Sequence, residues 1–131
     1  MAEKVPPEIE QVAQQLDELQ EKYNNLLNQR LIVESELKEI NKLLETLNNI
    51  PPETKIYRSV GNILFAEDRD KLVKELTEKK ETDELIYERF KKDEEDLKKQ
   101  ISTLQEKLRG LLSKYYQKVS TPVTKTGSGA S

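Results

Sequence analysis

The side chains in this 131-residue chain that are plentiful enough to do acid–base chemistry are carboxylates, 25 of them against 22 lysines and arginines. Glu94, Glu95 and Asp96 stand together, but Lys91, Lys92, Lys98 and Lys99 flank them. Alternating charge of this kind reads as a solvated helix face, not as a paired acid and base. Histidine and cysteine are both absent, which removes the commonest general base, thiol nucleophiles and disulfides. A zinc site would have to be built from carboxylates alone, a poor match to that ion. There is no G-x-S-x-G elbow and no glycine-rich phosphate loop, and Gly61 stands alone in a turn. The sequence therefore predicts no catalytic, metal-ligating or cofactor-binding residue, no cofactor and no enzyme activity.

Composition points the same way. Charged residues make up 36% and apolar residues 34%, whereas a compact globule holds about 45–50% apolar residues. Such a chain suits long helices, each with one narrow buried stripe. The net charge of −3, with both signs interleaved, argues against nucleic-acid binding, which wants a basic face. No apolar run approaches the roughly 18 residues of a membrane span. The opening MAEKVPPEIEQ lacks the apolar centre of a signal peptide. A cytoplasmic protein with no membrane or nucleic-acid partner is expected.

The elements that organise the chain are two helical repeats. Ile9, Val12, Leu16, Leu19, Tyr23, Leu26, Arg30, Val33, Leu37, Ile40, Leu44 and Leu47 alternate by three and four. That is the a/d seam of a left-handed coiled coil over about six heptads, interrupted only by Arg30. Arg30 is expected to reach a neighbouring carboxylate with its guanidinium, with register setting as the sharper alternative. A lead of residues 1–7 ends in Pro6-Pro7, a good helix start. The first helix is predicted over 8–48, roughly 60 Å long, and Pro51-Pro52 ends it.

Residues 49–67 form the linker and a β-hairpin. Ile56, Tyr57 and Val60 lead into a Gly61-Asn62 turn, and Ile63, Leu64 and Phe65 follow. Strands are expected at about 55–59 and 63–66. Asp68 suits an N-cap, and a second helix is predicted over 68–118. Its apolar positions are Leu72, Leu76, Ile86, Phe90, Leu97, Ile101, Leu104, Leu108, Leu111 and Tyr115. The a/d template places Lys79, Asp83 and Asp93 in this seam, with a stutter between Phe90 and Ile101. Residues 119–131 are small and polar, predicting a disordered tail, although GSGAS also matches a cloning remnant.

The fold class is therefore mainly α: a long antiparallel two-helix coiled coil connected by a single β-hairpin. Two strands alone are marginal in water, and these carry apolar residues of both parities. The hairpin is expected to join hairpins of other subunits into a closed sheet or barrel. The opposite ends of the helices are also rich in apolar residues. Val5, Ile9, Val12 and Leu16 precede or open the first helix. Leu108, Leu111, Leu112, Tyr115, Tyr116 and Val119 close the second. An apolar tip suggests a binding surface; pinning the frayed ends together is the plainer alternative.

The stretch from Ile50-Pro51-Pro52 through Ile56-Tyr57-Arg58-Ser59-Val60-Gly61-Asn62-Ile63-Leu64-Phe65, then Leu72-Val73-Lys74-Glu75-Leu76, resembles the prefoldin β subunit of the archaeal type. The resemblance spans about residues 6–116. It implies a hexamer of two α and four β subunits, the single hairpin marking the β class. The hairpins would build a double β-barrel platform through Ile56, Tyr57, Val60, Gly61, Ile63, Leu64 and Phe65. Coiled-coil tips would hold non-native polypeptides and deliver them to a group II chaperonin, without nucleotide. By this reading the chain is an ATP-independent holdase subunit, its tips roughly 60–70 Å from the platform. A coiled-coil scaffold or dimerisation module with one dedicated protein partner is the alternative.

Overall fold

The computed structural model describes residues 5–118 with their side chains and follows the backbone to residue 130. The expectation of a disordered tail over 119–131, and the role given to Val119, fall outside the described residues. Four elements follow in order: α1 (Pro7–Asn49), β1 (Ile56–Val60), β2 (Ile63–Glu67) and α2 (Arg69–Ala130). The fold is two long helices with one antiparallel hairpin between them. They group into two compact units, one of residues 26–92 and one of residues 1–25 with 93–131.

Proline starts α1 because the N–H it lacks would have had no helical partner. The carbonyl of Pro6 accepts from the amides of Ile9 (3.0 Å) and Glu10 (3.2 Å), closing the first turn. Pro51 ends the helix by the same lack, and its carbonyl accepts from the Thr54 amide at 3.0 Å in the turn that follows. At the start of α2 the Asp68 carbonyl accepts from Leu72 at 2.9 Å, which places Asp68 at the cap position.

In the unit of residues 26–92 the helix segments run antiparallel. The Arg69 guanidinium donates to the Leu47 carbonyl, capping the last turn of α1, and further along Lys79 meets Glu36. Ile40 and Leu47 are the buried apolar residues of α1 here, with Val33 and Leu37 half-buried before them and Leu44 between them. Arg30 occupies its seam position half-buried, and its guanidinium reaches Glu34 one turn on at 3.2 Å. In the other unit Ile9 and Val12 are buried, Val12 only 2% exposed, and Leu16, Leu19 and Tyr23 continue the stripe half-buried. Lys98 stands 5.9 Å from the centre of the Tyr23 ring, a cation–π contact between the helices.

The seam of α2 departs from the template read from sequence. Its buried and half-buried positions are Arg69, Leu72, Val73, Leu76, Lys80, Asp83, Tyr87 and Phe90 in one unit. In the other they are Asp93, Glu94, Leu97, Ile101, Leu104, Leu108, Leu111, Leu112 and Tyr115. A 3–4 series runs from Val73 to Tyr115 through these positions, with Leu72, Asp93 and Leu112 half-buried beside it, so that Asp93 and Glu94 are both covered between Phe90 and Leu97. Lys79 and Ile86 sit one residue off the seam and are exposed. Glu94 is buried, and Asp93 beside it, expected in the seam, is half-buried. The cause is helical phase: 3–4 spacing from Val73 selects Lys80, Tyr87 and Glu94 whatever their polarity, and apolar identity at Ile86 does not shift it.

Candidate functional site

The hairpin is held by a two-residue turn. Val60 pairs with Ile63, leaving Gly61 and Asn62 as the loop. Gly61 has φ +61° and no other described residue besides glycine has positive φ. A positive φ confined to the first loop position is the type II′ pattern, which matches the twist of the flanking strands. Both strands therefore run one residue further than the sequence suggested, to Val60 and Glu67.

Pairing of Ile56 with Glu67, Arg58 with Phe65 and Val60 with Ile63 puts these six side chains on one face. Tyr57, Ser59, Leu64 and Ala66 occupy the other. Tyr57, Val60, Ile63, Leu64 and Phe65 are all exposed, Leu64 by 67%, while Ile56 is half-buried. Gly61 is open as well: a Cβ there would meet nothing within 4 Å. The two strands form a sheet by themselves, so each keeps one unpaired edge. An apolar surface on both faces and two open edges are what a strand of another chain could pair with and cover.

Sequence reasoning passed over Arg58, which lies inside this apolar stretch. Its Nη2 donates to Glu67 Oε1 at 2.8 Å on the neighbouring strand and to Glu75 Oε2 at 3.3 Å on α2. The signal was an arginine at a strand position whose neighbours on the same face are apolar. Its partners became visible only with the strand register.

The helix ends differ from one another. Ile9 and Val12 are fully part of the packed stripe, and Leu16, Leu108, Leu111, Leu112 and Tyr115 are half-buried. Val5 is exposed, and Tyr116 is 62% exposed beside Tyr115, the two rings tilted 57° with centres 5.7 Å apart. The apolar surface on offer at this end is thus Val5, Tyr116 and the open edges of the half-buried leucines. Among the described residues no group of acidic side chains is arranged to hold a metal ion. No helix is long and apolar enough to cross a membrane, again among the described residues.

Two long helices joined by one exposed antiparallel hairpin define a helical subunit of coiled-coil type. The chain belongs to the prefoldin subunit family, whose pattern it matches over residues 10–115. It is 40% identical over 116 residues to the prefoldin subunit beta of Sulfurisphaera tokodaii, covering 88% of this chain and 93% of that one. Against the prefoldin subunit beta of Sulfolobus acidocaldarius the identity is 37%, with the same coverage. The crystal structure of the prefoldin beta subunit from Thermococcus strain KS-1 superposes with a TM-score of 0.73 at 27% identity, covering 83% of this chain and 96% of that one. The likeness to archaeal β subunits that Ile50 to Leu76 carries is thus a family relationship over most of the chain, and it gives the chain a chaperone-type role.

Proposed function

We propose that this chain is the β-class subunit of an ATP-independent holdase, a hexamer of two α and four β subunits. Its hairpin joins those of neighbouring subunits through Ile56, Tyr57, Val60, Gly61, Ile63, Leu64 and Phe65 into a barrel platform. Its helix ends hold non-native polypeptides for transfer to a group II chaperonin in the cytoplasm, and it carries out no catalysis. The observation that carries this reading is the exposure of apolar side chains on both faces of a two-stranded sheet. Such a hairpin has too little cover to be stable alone, and closure with other strands removes both its edges and its apolar surface.

The holding mechanism is multivalent. Val5 and Tyr116 offer a small apolar patch with weak affinity for an exposed hydrophobe. Several such patches on one platform raise the effective concentration of the next contact, so avidity exceeds any single affinity. Weak single contacts also leave the client free to pass on. The test mixes the chain with an archaeal prefoldin α subunit and measures native mass and the aggregation of several unrelated unfolded proteins. A hexamer that protects all of them fits the reading. An assembly that binds one protein only would make it a dedicated scaffold instead.

A further inference from the structure

The joint between the hairpin and α2 is very short. β2 ends at Glu67 and α2 begins at Arg69, so Asp68 alone separates them. A single connecting residue has two soft backbone angles, and rotation about either swings the whole hairpin against the helix. The two strands have no third strand to lean on. Something other than the joint must fix the direction in which the hairpin leaves α2.

Arg58 meets that need. It sits on the face shared by Ile56, Val60, Ile63, Phe65 and Glu67. From there its guanidinium is shared between Glu67 on the sheet and Glu75, eight residues past the end of β2. One contact holds the side chain to the hairpin, and the other ties it to the helix across the Asp68 joint. A planar guanidinium can serve both carboxylates at once, which an ammonium does poorly. At the base of the same face Ile56 and Glu67 are only half-exposed, whereas Val60, Ile63 and Phe65 further out are exposed. Arg58 stands where the covered base gives way to the exposed end.

We infer that Arg58 is a positioning residue: its bridge to Glu75 sets the angle at which the hairpin presents its apolar faces to other subunits. The link to assembly rests on the proposed role of the hairpin as the assembly joint; the link to hairpin direction does not. Arg58 and Glu75 are both about half solvent-exposed, so the bridge to the helix biases direction without locking it.

The chain contains no cysteine, so spin labels can be placed at Asn62→Cys in the turn and Glu78→Cys on α2 in the full-length protein. The bridged protein is expected to give one narrow distance distribution. Glu75→Gln should raise the share of other distances about two- to fivefold, the range open to a surface ion pair. High salt should do the same to the parent protein. Arg58→Lys should restore only part of the narrow distribution. Glu67→Gln should change it less than Glu75→Gln, because the tie to α2 remains. Helix content by circular dichroism should be equal in all variants. A distribution unchanged by Glu75→Gln overturns the inference. Native mass with an archaeal prefoldin α subunit then separates the two claims. Weaker assembly of Glu75→Gln supports both, and unchanged assembly despite a broadened distribution removes the link to assembly. If the parent chain itself fails to assemble, the hairpin reading falls while the distances still decide the brace.

Discussion

Lys79 Nζ stands 2.5 Å from Glu36 Oε1, an ion pair joining α2 to α1 beside the buried carboxylate of Asp83. Asp83 thus lies where a coiled coil ordinarily buries hydrocarbon, with exposed Lys79 and half-buried Glu36 at its edge. The ammonium of Lys79 donates to Glu36 and holds that carboxyl below its ordinary value, while Glu36 in turn raises Lys79. Asp83 is 6% exposed, and its Oδ2 finds no hydrogen-bond partner among the described residues. Burial pushes its carboxyl above the ordinary aspartate value of 3.8, the charge of Glu36 pushes further, and Lys79 opposes both.

The first prediction concerns Lys79. Lys79→Met leaves two carboxylates facing each other with nothing between them. The variant should melt at a lower temperature at neutral pH, and the deficit should shrink in acid, where protonation removes the repulsion. Thermal melts followed by circular dichroism at both conditions check this; an equal deficit in acid would mean that Lys79 contributes by packing alone.

Asp83 carries a prediction of opposite sign. Because its folded-state value is raised, the folded protein binds a proton more readily than the unfolded chain. Stability from this group is present below the unfolded value near 3.8 and falls as pH rises through the raised folded value. Glu36 behaves the other way: its contribution is present above the unfolded value of 4.5 and is lost as pH falls through the lowered folded value. Asp83→Leu should therefore stabilise the protein at neutral pH by about 2 kcal/mol, from burying a leucine at a seam position. It should also leave only the acid loss due to Glu36 and other paired carboxylates. Urea unfolding across the acid range measures both effects.

Much of this arrangement was legible in the residues, and the illegible parts share one cause. The α1 stripe from Ile9 to Leu47 could be read because its seam positions are apolar except at Arg30. The hairpin could be read because Gly61-Asn62 sits between β-branched and aromatic residues. In α2 the seam passes through Lys80, Asp83 and Glu94, so spacing counted from the apolar residues placed Lys79 and Ile86 in it, each one residue off. The contacts from Arg58 to Glu75, Arg69 to Leu47 and Lys79 to Glu36 join residues far apart in the chain. They depend on strand register and helix phase, which emerge only when the elements pack. At the helix ends, Ile9 and Val12 were named with Val5 and Tyr116 because all are apolar. Burial separates the first pair from the second.

Two glycines give predictions of opposite direction. Gly110 lies within α2, and a Cβ there would meet nothing within 4 Å. Gly110→Ala should stabilise the helix by about 1 kcal/mol through lower backbone entropy in the unfolded chain. At Gly61 there is equal space, but the positive φ strains any side chain. Gly61→Val should destabilise the hairpin by at least about 1 kcal/mol while leaving helix content unchanged. Circular dichroism for the first and amide exchange of the strands for the second are the measurements.

The helix ends predict a separation between folding and client holding. Val12→Ala removes a buried seam side chain and should cost about 2 kcal/mol of stability. Val5→Ser with Tyr116→Ser removes exposed apolar surface and should leave the melting temperature nearly unchanged. The double variant should protect clients less while assembling normally, as read by light scattering of an aggregating client beside native mass.

The central claim is that the hairpin assembles the complex and the helix ends hold the client. It is tested most directly by deleting residues 1–12 and 112–131 together and measuring native mass and client protection in the same sample, with an archaeal prefoldin α subunit present. The account predicts an intact hexamer that no longer suppresses aggregation. A truncated complex that protects several unrelated clients as well as the full-length one would contradict it.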